Sequence, residues 1–206
     1  LCVQAWGVVA PEQAALTCVD LLRSGRASQD DFARVRERVE SSVADNPESA
    51  ELVFQLANIR HLQGDYAAAE ELYRRTIELA PASVLAYNEL AMLLVLLDKN
   101  QDEALELIDR AIERAGPLAF LLDTRGVVYL SLGRDEEARR DLEDAIADAP
   151  TPAKYFHLAQ VHLAMSDRPA ASTAYRQGIA VGLHADALHP LEHSQFEQIH
   201  AGLGQF

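Results

Sequence analysis

The sequence predicts an all-α chain of stacked antiparallel helix pairs, and three observations predict it. Isoleucine recurs as Ile77, Ile112, Ile146 and Ile179, at spacings of 35, 34 and 33 residues. A fixed period in the thirties marks two-helix repeats, which stack because one repeat alone cannot bury its apolar face. Small residues recur in register as Ala57/Ala69/Thr76, Ala91/Ala104/Ala111, Gly126/Ala138/Ala145 and Ala159/Ala171/Gly178. Helices cross closely at such points, where a larger side chain would force them apart. Pro81, Pro117 and Pro150 follow the first three isoleucines within five residues and stop each second helix.

Each element follows in order. Residues 1–10 are read as the trailing helix of a truncated upstream repeat, with Val3 and Trp6 needing an apolar neighbour. With no initiating Met, the chain reads as a piece of a longer polypeptide. Residues 11–47 form a degenerate repeat: helices over 11–23 and 30–45, a long connector around Gly25, and Val43 standing 34 residues before Ile77. The clearest repeat is 50–83, with Val53, Leu56 and Ala57 on one helical face, a break at Gly64-Asp65, then Ala69, Tyr73, Thr76, Ile77 and Ala80 aligned before Pro81. Residues 84–117 repeat this with Tyr87, Leu90 and Ala91, then Ala104, Ile108, Ala111 and Ile112. Their turn at 98–101 lacks glycine and carries about one extra residue. Residues 118–151 give Leu122, Gly126 and Tyr129, a turn at Gly133, then Ala138, Leu142, Ala145 and Ile146. Residues 152–183 give Tyr155, Leu158 and Ala159, then Ala171, Tyr175, Gly178 and Ile179. His189-Pro190 opens a last helix over 189–204, whose apolar face of Phe196, Ile199 and Leu203 covers the final repeat.

Bulk composition narrows the function. Net charge is -14 over 206 residues, which repels phosphate backbones and favours neutral or basic partners over nucleic acid. The longest apolar run, 90–97, is far too short to cross a bilayer, so this segment is not expected to enter a membrane. Cys2 and Cys18 are too few for a disulfide scaffold. Reduced thiols and a cytoplasmic location are expected, with a bridge between neighbouring helices as the alternative.

The recurring small, apolar and proline positions over about residues 50–183 resemble the tetratricopeptide repeat (TPR). That family's unit places small residues at its eighth, twentieth and twenty-seventh positions, large apolar residues at its fourth, seventh, eleventh and twenty-fourth, and proline near its thirty-second. Departures are Arg60 and Arg125 in place of large apolar residues, Thr76 in place of alanine, and Leu183 in place of the last proline. The resemblance implies a right-handed α-α superhelix, a solenoid that binds a protein or peptide without catalysis or cofactor. It further implies a concave groove lined by the first helix of each repeat. Carried over residue by residue, the lining is Glu51, Phe54, Asn58 and His61, then Leu85, Asn88, Glu89 and Met92. The next two repeats add Phe120, Asp123, Thr124 and Val127, then Phe156, His157 and Gln160. This lining holds no Lys or Arg and no continuous asparagine ladder, which disfavours the family's carboxylate-clamping and glycosyltransferase-linked arrays. A neutral-to-basic peptide with apolar anchors is the expected partner.

Two residue sets offer other chemistry. Six of seven histidines fall in the last fifty residues, and His189, His193 and His200 share a helix face. Such a stripe could hold zinc or nickel, so a metal- or small-ligand-binding enzyme at this end is the alternative. A spacer or assembly surface is a third. Arg60 and Arg125 could grip an anionic ligand, or pair with an acidic residue of an adjacent helix while their stems pack inside. No metal motif, phosphate loop or nucleophile elbow stands in the sequence.

Overall fold

The computed structural model describes residues 6, 8–23 and 27–204. It is all-α: among the described residues there are eleven α-helices and no strand. They are α1 (Pro11–Arg23), α2 (Gln29–Asp45), α3 (Ala50–Leu62), α4 (Tyr66–Leu79), α5 (Val84–Leu96), α6 (Gln101–Ala115), α7 (Ala119–Ser131), α8 (Asp135–Asp148), α9 (Pro152–Ala164), α10 (Arg168–Ala180) and α11 (His193–Leu203). Short 3-10 turns at Ala185–Ala187 and Pro190–Glu192 precede α11, so Pro190 opens a 3-10 turn and not the α-helix itself. The chain divides into two units, Leu1–Ala86 and Tyr87–Phe206.

Local chemistry sets the helix ends. Ser28 and Asp31 form a reciprocal capping box at the start of α2. Ser49, Asp65, Thr151 and Asp167 each accept a backbone N–H in the first turn of the helix they precede. Five helices end in one closed turn, in which the N–H of Asp65, Lys99, Arg134, Asp167 or Leu183 reaches the carbonyl five residues earlier at 2.8–2.9 Å. The residue just before each donor is left-handed: Gly64, Asp98, Gly133, Ser166 and Gly182. Asp98 therefore takes the glycine's place in the glycine-free turn. Asn100, also left-handed at φ 45°, is the extra residue there and precedes α6.

The small residues do what their register implies. A Cβ on Gly126 would lie 2.7 Å from Leu142 Cγ and 3.3 Å from the Ala138 carbonyl oxygen. One on Gly178 would meet Leu183 Cδ2 at 2.9 Å and Tyr155 Cβ at 3.1 Å. Ala57, Ala69, Ala104, Ala138, Ala145 and Ala171 are fully buried. Ile77, Ile112 and Ile146 are half-buried, and Ile179 is exposed at 45%. They mark the period while the small residues make the crossings.

In the first unit, α3 packs on α4, and α1 and α2 pack on α3 around Cys18, Val19, Val39, Leu52 and Ile59. Trp6 finds its neighbour here: it is buried, and its Nε1–H donates to Ser42 Oγ at 3.1 Å. Val8 and Val9 are exposed and not helical, and the rest of the helix expected over 1–10 falls largely on residues 1–5 and 7, which lie outside the described set. Buried Cys18 is disulfide-bonded, which overturns the expectation of reduced thiols. The chain's other cysteine, Cys2, and the connector around Gly25 also lie outside the described residues.

In the second unit, α7 packs on α8 and α9 on α10, and α8 meets α9 in turn. The core beneath α11 joins Phe156, Leu158, Tyr175 and Leu183 to Leu188, Phe196, Ile199 and Leu203. Helix α11 buries its apolar face, Phe196, Ile199 and Leu203, in this core.

Candidate partner-binding face

In the first unit the polar side chains of α3 are used internally. Tyr73 of α4 donates its hydroxyl to Asn58 Oδ1 at 3.0 Å. Asn58 Nδ2 donates to Gln55 Oε1 at 3.4 Å, and Gln55 Nε2 donates to Glu51 Oε1 at 2.7 Å. His61 Nδ1 lies 3.2 Å from the same Tyr73 hydroxyl, and the Phe54 ring sits 5.9 Å from the Tyr73 ring. Phe54 and Asn58 are buried. They lock α3 onto α4, so neither is presented to a partner as the groove register implied. Gln55, absent from that register, joins the two ends of the chain of bonds.

In the second unit the same register splits in two. Asn88, Thr124, Phe156 and His157 are buried. Phe156 packs on Phe196 of α11 with ring centroids 6.1 Å apart, and Thr124 Oγ1 donates to the Phe120 carbonyl at 3.3 Å. Glu89, Met92, Asp123 and Gln160 are half-exposed, and Phe120 is 38% exposed.

His157 stands between two carboxylates. Its Nδ1 lies 2.7 Å from Asp123 Oδ1 on α7, and its Nε2 lies 2.8 Å from Glu192 Oε1 in the turn before α11. With a carboxylate on each nitrogen, the ring is an imidazolium donating twice. Burial alone would lower its pKa, but the charges of Asp123 and Glu192 outweigh that and raise it to about 10. Burial would raise the Glu192 carboxyl, yet His157 holds it below its ordinary value. The other Glu192 oxygen accepts the His189 N–H at 3.1 Å. Beside this clamp, Gln160 Nε2 donates to Gln195 Oε1 at 2.8 Å. Sequence reasoning passed over Glu192; its spacing of 35 residues from His157, and that of Asp123 at 34, was the available signal.

The two arginines take the structural role. Arg125 grips Asp141 through Nε and Nη2, at 2.6 and 3.0 Å, and reaches Asp109 through Nη1 at 3.1 Å. It thereby ties α7 to α8 and α6, and these bonds raise its pKa further. Arg60 Nη2 donates to Glu40 Oε1 at 2.6 Å, joining α3 to α2. The histidine stripe does not converge: Leu191 N–H donates to His189 Nδ1, and His200 Nδ1 lies 2.6 Å from the Tyr175 hydroxyl. Among the described residues no three His, Cys, Asp or Glu side chains are placed to hold a metal ion.

A cavity of about 340 Å³ opens where α5, α7, α9 and the α11 turn face one another. Val95, Val127, Leu130 and Leu191 supply aliphatic wall, and Gln160, Glu192 and Gln195 supply polar atoms.

Residues 4–164 match the tetratricopeptide repeat-like domain family. The chain belongs to this family. TPR proteins generally serve as protein-interaction scaffolds. A thermophilic TPR protein of Thermus thermophilus has the same fold, with TM-score 0.71 and 21% identity over 94% of this chain and 99% of that one. PilW, described as a widely conserved type IV pilus biogenesis factor, superposes with TM-score 0.68 and 19% identity over 94% of this chain and 96% of its own. Mitochondrial import receptor subunit TOM70 of Rattus norvegicus is 29% identical over 96 residues, which is 47% of this chain and only 16% of the receptor. Among the described residues of this TPR chain, no helix is long and apolar enough to cross a membrane.

Proposed function

We propose that the second unit binds an extended segment of a partner protein along the face formed by α5, α7, α9 and the α11 turn, without catalysis. The observation that carries this reading is the cavity, because residues from successive first helices and from the cap line one continuous depression. On the first helices that supply that face, Glu89 and Met92 of α5 are half-exposed and Phe120 of α7 is exposed, and the expected groove positions hold no Lys or Arg. A rigid, preformed surface of this kind limits the entropy lost on binding. The partner is a neutral-to-basic peptide with apolar anchors: the apolar wall takes the anchors, and the acidic surface disfavours anions.

Site-specific photo-crosslinking in the source cells tests this. A benzophenone side chain in place of Phe120 should yield a discrete crosslinked partner, and one in place of exposed Arg140 on α8 should not. Equal crosslinking at both sites, or none at Phe120, rejects the face.

We further infer that the protein works where disulfides persist, and not in the cytoplasm as its cysteine count suggested. The reading rests on buried, disulfide-bonded Cys18, because cytosolic thiol systems keep such pairs reduced. Denatured protein from the native host, trapped with iodoacetamide before any reduction, should take up no label. Full alkylation of Cys18 returns the protein to the cytoplasm.

A further inference from the structure

The cavity at the cap combines aliphatic and acidic-to-polar lining, and this deepens the groove reading on which it rests. One wall is aliphatic, from Val95, Leu96, Val127, Leu130 and Leu191. The remaining lining consists of Asp98, Ser131, Gln160, Glu192 and Gln195, with no lysine or arginine. Glu192 of this lining and Asp123 hold the His157 imidazolium between them, and the three groups leave a net charge of about -1. Asp98 adds a further negative charge at the lining. The Gln160–Gln195 hydrogen bond uses the Gln160 amide N–H and leaves the Gln160 side-chain carbonyl as an acceptor.

We propose that this cavity takes the side chain of a lysine or arginine from the bound segment. Its methylene stem lies against Val127, Leu130 and Leu191, and its cationic head is held by the carboxylate of Asp98 and the carbonyl of Gln160, beside Glu192. Long basic side chains combine these two needs, an apolar stem and a charged end. A purely apolar side chain would cover the Gln160 carbonyl oxygen without giving it a donor and would leave the Asp98 carboxylate, which accepts from Gln101 Nε2 at 2.6 Å, without an opposite charge. An acidic one would meet the like charge of Asp98 and Glu192. A volume of about 340 Å³ is at the small end of ligand pockets and suits one side chain. The cap supplies Leu191, Glu192 and Gln195, so the end of the array decides which partner residue is selected.

The test is selection from a random peptide library displayed on phage against the whole chain, followed by binding of synthetic peptides read by fluorescence polarisation. Selected peptides are expected to share one lysine or arginine position. Replacing that residue by norleucine should weaken binding at least tenfold. The Gln195→Lys and Asp98→Asn variants should each weaken the parent peptide with unchanged thermal melting, and should leave the norleucine peptide unaffected. Peptides that lose affinity with Phe120→Ala but are indifferent to norleucine, to Gln195→Lys and to Asp98→Asn overturn the basic pocket and leave the groove standing. A library that yields no peptide sensitive to Phe120→Ala overturns both.

Discussion

His157 Nε2 on α9 lies 2.8 Å from Glu192 Oε1, and this bond fastens the C-terminal cap to the repeat before it. Both groups are buried, and Asp123 holds the other nitrogen at 2.7 Å. The His157 pKa is raised from an ordinary 6.5 to about 10. A raised basic group adds stability that is fully present below its unfolded pKa and is lost as pH rises through the folded one. The advantage of wild type over His157→Gln should therefore be largest near pH 6 and disappear above about pH 10. Glu192 is shifted downward, so its contribution is present above the ordinary carboxylate range and is lost as pH falls through its lowered pKa. His157→Ala, which strands a buried carboxylate, should cost roughly 3–5 kcal/mol at neutral pH. Melting curves across pH check both statements.

Arg125 and Arg60 occupy comparable roles with different burial. Arg125 bonds Asp141, whose side chain is only 12% exposed, whereas Glu40, the partner of Arg60, is 37% exposed. Arg125→Met should destabilise by about 1–3 kcal/mol, and Arg60→Met by less than about 1 kcal/mol because solvent screens the exposed pair. Urea unfolding of the two variants should separate them; equal losses would refute the ranking.

Gly126 and Ala138 face each other where α7 crosses α8. Gly126→Ala places a methyl 2.7 Å from the buried Leu142 side chain, and Ala138→Leu overfills the same crossing. Each should cost about 1–3 kcal/mol through overpacking. Calorimetric melting that shows no loss in either variant would mean that the helices can separate at no cost.

Ser166 holds φ 61° where three equivalent turns use glycine. The left-handed region costs a Cβ-bearing residue on the order of 1 kcal/mol. Ser166→Gly should recover about half of that after the extra entropy of glycine in the unfolded chain, raising the melting temperature slightly. An unchanged or lower midpoint would show that the Ser166 side chain stabilises the turn.

The expected site was only partly readable in the sequence, and Asp123 shows why. Its position in the groove register pointed to a carboxylate offered to a partner. The structure gives that carboxylate to the buried ring of His157, so Asp123→Lys would break a part-buried ion pair. Asn58 and Phe156 misled in the same way: their positions on the first helix were right, but Tyr73 and Phe196 cover them. A helical register states which way a side chain points. It does not state what a neighbouring helix places in front of it.

By itself the sequence determined the class of fold and the crossing points. Period, helix-stopping prolines and small residues are local or regularly repeated, and sterics translate each of them directly into helix ends and close contacts. The pairings at 34–35 residues, the turns at Asp98 and Ser166, and the polar cavity beneath the cap were decided by tertiary structure. They depend on the spacing and rotation between packed helices, which set whether two distant side chains meet, miss, or leave room for a third.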